Sequence, residues 1–370
     1  MKVSVVTIHY ARNFGSMLQT YATEQKIRKL GFDVEIVNYI PQGLRLITNI
    51  NTIKKKGNLL VDFARKIVAA VVFSYAQLGM ICFNRKFLTL SKRVYHCYDE
   101  LQENPPVADY YIAGSDQIWN TQNKNRENDI DGYYLAFAPH SGHKISYASS
   151  IGKDSFSEKE KKEVFDKLVD YKAISVRESY AKSLLQSIGV QNVTQVLDPT
   201  LLLTASEWAA FVKNNKRRKM ANRGRPYILV YNLNRNQSLK SCAKKLSEIV
   251  GLRIINLSGC LDFLPGALNV PINSPIDFLF YLKDASYVLT DSFHGTAFSI
   301  NFNKQFMTFS APKYNSRLYS LLELFKLSDR LFDVKQDISM IKQKIDYTSV
   351  NTILNEERER SIEFLKSALD

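Results

Sequence analysis

The run from Tyr287 to Ile300, YVLTDSFHGTAFSI, constrains the fold of this 370-residue chain more than any other stretch. Tyr287-Val288-Leu289 is a short β-branched and aromatic run. After a break at Thr290-Asp291-Ser292, small and apolar residues follow at helical spacing. This predicts a buried strand, a turn, and a helix whose first turn carries His294, Gly295 and Thr296. In an open α/β sheet, ligands bind outside the carboxyl ends of the strands. A helix that starts there presents backbone N–H groups and the positive end of its dipole to an anion. A histidine at that point can donate a proton beside a bound phosphate or carboxylate, or can simply pack or cap the turn.

The same alternation runs along the chain twice. Val3–Ile8 reads as a strand, Ser16–Leu30 as an amphipathic helix stopped by Gly31, and Asp33–Tyr39 as the next strand. Residues 44–106 break the rhythm and read as a mostly helical insertion. Strands resume at Asp109–Ala113, Lys144–Ser149 and Ala173–Val176, with a helix over Ser157–Tyr171. Leu197-Asp198-Pro199-Thr200 reads as a hinge, and Asn214–Pro226 as an exposed basic loop. A second series then begins, with strands at Tyr227–Asn232, Arg253–Leu257 and Tyr287–Leu289 and helices over Ser238–Val250 and Pro275–Leu282. Alternation of this kind implies parallel sheets covered on both faces. The expected fold class is α/β, with two Rossmann-like domains facing a cleft. The expected domains are residues 1–200, residues 201–345, and a C-terminal helix over 346–370 packing back on the first domain.

Bulk properties exclude several classes. The N-terminus lacks the apolar core and cleavage site of a signal peptide, and the four cysteines show no CxxC spacing. A cytoplasmic protein with reduced thiols is expected, with no metal centre. Fifty basic against 36 acidic side chains give a net charge of +14. Residues 54–93 hold nine of the basic residues (Lys54, Lys55, Lys56, Arg65, Lys66, Arg85, Lys86, Lys92, Arg93) and a single acidic one, Asp62. Within this stretch lies Ile67–Phe83, seventeen residues without a charge. A spanning helix needs about 20 apolar residues. The preferred reading is a buried helix; the other is a helix leaning on an anionic membrane with basic flanks. No nucleic-acid-binding signature accompanies the charge.

Polar clusters fall where strands end. Asn13, Gly15 and Ser16 lie between the first strand and its helix, where Gly15 allows close approach and Asn13 or Ser16 can cap the helix or meet a sugar hydroxyl. They do not form a GxGxxG dinucleotide fingerprint. Ser115, Asp116, Gln117 and Trp119 follow the strand at Asp109–Ala113. There Asp116 can serve as a base toward a hydroxyl and Trp119 can stack on a sugar, or the two can cap and fill a tight turn. Arg177 ends the strand at Ala173–Val176 and offers a fork for phosphate or carboxylate, or for an acidic neighbour.

Taken in order, NFGSMLQTYA (Asn13–Ala22), GSDQIWN (Gly114–Asn120), SYASSIG (Ser146–Gly152), SVRE (Ser175–Glu178), VLDPTLLL (Val196–Leu203) and DSFHGTA (Asp291–Ala297) resemble the polysaccharide pyruvyl transferase family. The resemblance implies a two-lobed, GT-B-like glycosyltransferase architecture. It also implies transfer of pyruvate from phosphoenolpyruvate onto a saccharide of a capsule, exopolysaccharide or precursor, as a cyclic ketal, with no cofactor beyond that donor. Arg177 matches the family's arginine in a V-R-[DE] position, and His294 its C-terminal histidine. Many members carry Arg-Leu-His where this chain has Ser292-Phe293-His294, so the missing cation is expected from Arg317, with Lys313 next. On this reading His294 is the acid, and Arg177, Arg317, Lys313 and the N–H groups of Gly295 and Thr296 hold the donor. Asp116, across the cleft, orients or deprotonates the acceptor, which Asn13, Gly15, Ser16, Ser115, Gln117 and Trp119 bind. The acceptor in such pathways is often lipid-linked, which would bring the enzyme to the inner face of the membrane. The alternatives are a nucleotide-sugar glycosyltransferase and a non-catalytic saccharide-binding member.

Overall fold

The computed structural model describes residues 1–11, 13–41, 59–121, 129–215, 224–258, 262–310, 315–333 and 337–370. The expected loop at 214–226 falls largely outside them, as do Lys54, Lys55 and Lys56. The chain divides into two compact units, Met1–Leu202 with Arg360–Asp370, and Leu203–Glu359.

In the first unit the strands are β1 (Lys2–Val6), β2 (Asp33–Tyr39), β3 (Leu90–Tyr95), β4 (Tyr110–Ala113), β5 (His143–Ser149), β6 (Ala173–Val176) and β7 (Val193–Gln195). Among the described residues they form one sheet in the order β3-β2-β1-β4-β5-β6-β7. Every pairing is parallel. The helices are α1 (Phe14–Lys29), α2 (Leu59–Phe87), α3 (Tyr98–Glu103), α4 (Ile130–Tyr133), α5 (Glu158–Leu168), α6 (Ser179–Ser187) and α7 (Pro199–Leu202). Strand order reverses between β1 and β4, which opens a crevice at their carboxyl ends. β4 is buried at all four positions, so it reads as a continuous apolar run rather than an alternating one.

Two expectations change here. The 44–106 segment is not simply a helical insertion, because β3 lies within it and adds an edge strand beside β2. Nor is α2 a buried helix. Met80, Phe83 and Asn84 are buried, but Phe63, Ile67, Val71 and Leu78 are 50–66% exposed. The predicted hinge around Pro199 is the short helix α7, buried throughout and packed against α1.

The second unit holds α8 (Ala205–Asn215), β8 (Tyr227–Tyr231), α9 (Gln237–Val250), β9 (Arg253–Ser258), β10 (Leu268–Pro271), α10 (Pro275–Lys283), β11 (Tyr287–Thr290), α11 (Phe293–Asn301), β12 (Gln305–Phe309), α12 (Ser316–Leu324) and β13 (Leu331–Phe332). Its sheet is again all parallel, in the order β10-β9-β8-β11-β12-β13. The reversal falls between β8 and β11. Local chemistry sets the helix boundaries: Asn236 caps α9 through Leu239 N–H, and Gly251 closes it in the left-handed conformation at φ 66°. Pro275 opens α10 behind the Ser274 cap. The last helix, α13 (Tyr347–Leu369), begins among residues of the second unit and ends among those of the first. Both units are Rossmann-like α/β folds.

Candidate active site

Each unit has a polar cluster at its own switch point. In the first, α1 starts directly after β1, and Asn13 caps it by accepting the N–H of Gly15 at 3.0 Å. Ser16, 1% exposed, donates its hydroxyl to Asp116 Oδ2, beyond the end of β4. The other Asp116 oxygen accepts the N–H of Gln117 at 2.8 Å. Gln19, one turn further along α1, donates to Thr7 Oγ1 at 2.9 Å, and Thr7 donates to the carbonyl of Ser115 at 2.8 Å. Gly114 is required at this crossing, because a Cβ would stand 2.8 Å from Thr7 Cβ. The β1–β4 ladder runs to Gly114, whose N–H donates to the Val6 carbonyl at 2.9 Å, and beyond it side chains continue the join.

The backbone here is held in unusual conformations. Asp116 sits at φ 76° and Ala148 at φ 53°, both left-handed and both non-glycine, a conformation that costs about 1–3 kcal/mol each. The pairing of β5 with β6 shifts register between Ser146 and Ser149. Ser146 and Ser175 close this bulge reciprocally: each hydroxyl donates to the other's carbonyl, at 3.0 and 2.8 Å. Ser149 then donates to the carbonyls of Ala113 and Gly114 at 3.1 and 3.0 Å. Bulges of this kind re-aim strand ends beside functional sites, and this one turns Ser149 onto the segment that carries Asp116.

Arg177 lies at the next strand end and is 5% exposed. Its Nη1 donates to Asp198 Oδ2 at 2.7 Å and its Nε to Glu178 Oε1 at 3.0 Å. Ser115 donates to the same Asp198 oxygen at 3.1 Å, while the other takes the N–H and hydroxyl of Thr200 at 2.9 and 2.6 Å. Burial pulls the guanidinium toward neutrality, but Glu178, Asp198 and Asp116 outweigh it and hold Arg177 firmly cationic. Two of its nitrogens are thus committed to carboxylates of the same unit. His9, fully buried just past β1, has Nδ1 3.3 Å from the Thr7 carbonyl and Nε2 3.2 Å from Asn38 Oδ1. Burial pushes its imidazole below the usual value, against the opposing contacts with Asn38 and Thr7.

In the second unit, Ser292 caps α11 by accepting the N–H of Gly295 at 3.2 Å. His294 is the second residue of the helix, 2% exposed, with Phe293 edge-on at 5.2 Å between ring centres. Gly295 lies against Thr290, and a Cβ there would overlap Thr290 Oγ1 and stand 3.0 Å from Cγ2. Thr290 donates to the Tyr231 carbonyl at 2.8 Å, and Thr308 to the Thr290 carbonyl at 3.2 Å. Asp291 accepts the N–H groups of Leu233 and Asn234 at 2.7 and 2.8 Å, which ties the loop after β8 to the turn after β11. Burial raises the Asp291 pKa above the usual carboxylate range despite those bonds. Asn236 Nδ2 reaches the Ser310 carbonyl at 3.2 Å, so the ends of β8, β11 and β12 are fastened together around the start of α11.

Set against these geometries, the sequence expectations sort unevenly. Asp116, Ser16, Ser115 and Arg177 do converge on one switch point, and His294 occupies the other. Trp119 does not offer a sugar-stacking face: it is 0% exposed, stacked on Tyr134 at 5.3 Å, with its indole N–H on the Tyr133 carbonyl at 3.2 Å. Its indole fills the core. The amides assigned to phosphate are engaged within the turn, Gly295 N–H with Ser292 Oγ and Thr296 N–H with the Ser292 carbonyl at 3.0 Å. Gln117 is half-buried, and so is Arg317, in the first turn of α12. Lys313 lies outside the described residues. Sequence reasoning missed Asp198, Asp291, Thr7, Gln19 and His9. For Asp198 a signal was present: aspartate two residues before Thr200 is the pattern of a side chain capping its own turn.

No curated protein matches the chain in sequence. Among solved structures it is similar to the UDP-GlcNAc 2-epimerase from Methanocaldococcus jannaschii, at 13% identity and a TM-score of 0.49, covering 97% of this chain and 94% of that one. It is also similar to the UDP-GlcNAc 2-epimerase from Neisseria meningitidis, at 8% identity, a TM-score of 0.44, and 96% and 98% coverage. For the E. coli heptosyltransferase WaaC with ADP the figures are 11% identity, a TM-score of 0.41, and 96% and 100% coverage. The strand orders above carry the fold without these likenesses. The family model for polysaccharide pyruvyl transferase matches residues 13–311, from the cap of α1 to beyond β12. The chain belongs to the polysaccharide pyruvyl transferase family.

Proposed function

We propose that this transferase moves the pyruvyl group of phosphoenolpyruvate onto two hydroxyls of a saccharide, forming a cyclic ketal and releasing phosphate. The observation that carries this reading is His294 in the first turn of α11, at the switch point between β8 and β11, in a chain of this family. Protonation of the donor's methylene carbon makes C2 cationic. One sugar hydroxyl adds to C2, phosphate leaves, and the second hydroxyl closes the ring. The two hydroxyl protons balance the one given to the methylene and the one carried by phosphate.

His294 supplies the first proton, as an imidazole can near neutral pH. The α11 dipole and Arg317, on the neighbouring helix of the same sheet edge, compensate the donor's charge. Arg177 acts as a positioning residue, since its Nε and Nη1 already bond Glu178 and Asp198. It braces the segment that carries Asp116. Asp116 receives an acceptor hydroxyl's proton, directly or through Ser16, and Asn13, Gly15, Ser115 and Gln117 shape the surroundings. The acceptor is a cell-surface polysaccharide or its precursor, lipid-linked or free.

Calorimetry with phosphoenolpyruvate, and with uridine diphosphate as comparator, tests this reading on wild type and Arg317→Ala. Phosphoenolpyruvate binding that weakens in the variant supports it. Binding of the nucleotide alone would overturn it in favour of glycosyl transfer.

A further inference from the structure

Helix α2 leaves an apolar face uncovered. Phe63 is 66% exposed, Ile67 50%, Val71 65%, Tyr75 36% and Leu78 60%. Their spacing of four, four, four and three places them on one stripe, which runs about 22 Å along the helix at 1.5 Å per residue. One flank carries Val68, 46% exposed. The opposite side, with Met80, Phe83 and Asn84 buried, faces the rest of the first unit. Phe83 and Phe87 pack edge-on against Tyr21 of α1 at 6.4 and 6.3 Å. The helix is therefore anchored toward its end, while the stripe from Phe63 to Leu78 faces outward.

Charge surrounds this stripe with one sign. About two turns beyond Leu78 stand Arg85 and Lys86, both exposed, and Lys92 and Arg93 are exposed on the edge strand β3 that follows. Asp62 is the single acidic residue between 54 and 93, against nine basic ones. Among the described residues no helix is long and apolar enough to cross a membrane. A helix with an apolar exposed stripe bordered by cations suits the headgroup boundary of an anionic bilayer, where it lies in the plane.

We infer that the Phe63–Leu78 face of α2 docks on an anionic lipid surface, with Arg85, Lys86, Lys92 and Arg93 meeting the headgroups. The apolar stripe supplies the insertion and the basic residues supply the choice of lipid. This surface is independent of the reaction assigned above, because none of its residues belongs to either switch point.

The test is co-sedimentation of the full chain with vesicles of phosphatidylcholine alone and of phosphatidylcholine with phosphatidylglycerol. Wild type should bind the anionic vesicles and leave the neutral ones. Arg85→Glu/Lys86→Glu should weaken partitioning by about tenfold or more, each charge near an anionic surface contributing several-fold, with the loss largest at low salt. Val71→Glu/Leu78→Glu should abolish binding while the melting temperature and circular dichroism stay at wild-type values, since both side chains are already exposed. Equal binding of wild type to neutral and anionic vesicles would overturn the proposal. So would a wild-type dimer in sedimentation velocity that Val71→Glu/Leu78→Glu converts to monomer, which would make a second copy of this chain the occupant.

Discussion

Ser16 and Asp116, one hundred positions apart in sequence, share a hydrogen bond at the point where β1 and β4 diverge. The hydroxyl comes from the first turn of α1, and the carboxylate from a left-handed residue just past β4. If Asp116 is the base toward the acceptor, Asp116→Asn should lower kcat by about 10²–10⁴-fold, with the melting temperature nearly unchanged. Ser16→Ala removes a partner and not the base, so its effect on kcat should be smaller. Phosphate release in the presence of acceptor reads both.

His294→Ala should cost a comparable factor, about 10²–10⁴ in kcat. The chain around it is held by the hydroxyl, carboxylate and backbone bonds of Ser292, Thr290, Asp291 and Thr308, so the fold should persist. An active His294→Ala protein would remove the acid assigned here.

Gly295 tests packing rather than chemistry. Gly295→Ala should destabilise the second unit by about 1–3 kcal/mol, the usual range for overpacking, because the added methyl meets Thr290. The double variant Gly295→Ala/Thr290→Ala removes Oγ1 and Cγ2 from that contact and should recover part of the loss. Urea midpoints for the two single variants and the double variant decide it.

Arg177→Met should be severely destabilising, by about 3–5 kcal/mol, since it leaves Glu178 and Asp198 buried without their cation. Arg177→Lys keeps the charge and should lie between Arg177→Met and wild type. A positioning role predicts that Arg177→Lys lowers kcat while leaving the KM for the donor nearly unchanged. A direct donor contact predicts the reverse.

The strands that sequence made legible were those buried on both faces. YILVY at β8 and the apolar run at β4 are continuous because helices cover both sides of a parallel sheet. β3 was hidden because an edge strand need bury little: LSKRVY carries Lys92 and Arg93 outward and resembles its basic surroundings. β7 is three residues long and offers no period to read. At the site, the positions of His294, Asp116 and Arg177 were legible from where strands end. What each side chain faces was not. Arg177 meets Asp198 across 21 positions, and Trp119 stacks on Tyr134 rather than on a neighbour in sequence. Such pairings belong to tertiary structure, and nothing in local spacing encodes them.

His9 gives the first unit a pH dependence with a definite sign. Its folded-state pKa is below the 6.5 of an exposed histidine. Below that value the unfolded chain takes up a proton that the folded one refuses, so stability is fully present above pH 6.5 and declines as pH falls toward the lowered pKa. The slope is at most about 1.4 kcal/mol per pH unit. Urea midpoints at pH 7.5 and 5.5 should differ in this direction, and His9→Gln should reduce the difference.

The bond from Leu197 N–H to Ser361 Oγ joins positions 164 residues apart. Nearby, Tyr147 donates to the Leu197 carbonyl at 3.1 Å and meets Phe364 at 6.4 Å between rings, while Leu365 and Leu369 are buried. On the ribosome, the second unit therefore emerges in full before the first has all of its parts. The earlier-made half must wait, partly open, with the face that will receive Ser361 and Phe364 uncovered, while the later-made half is already free to fold.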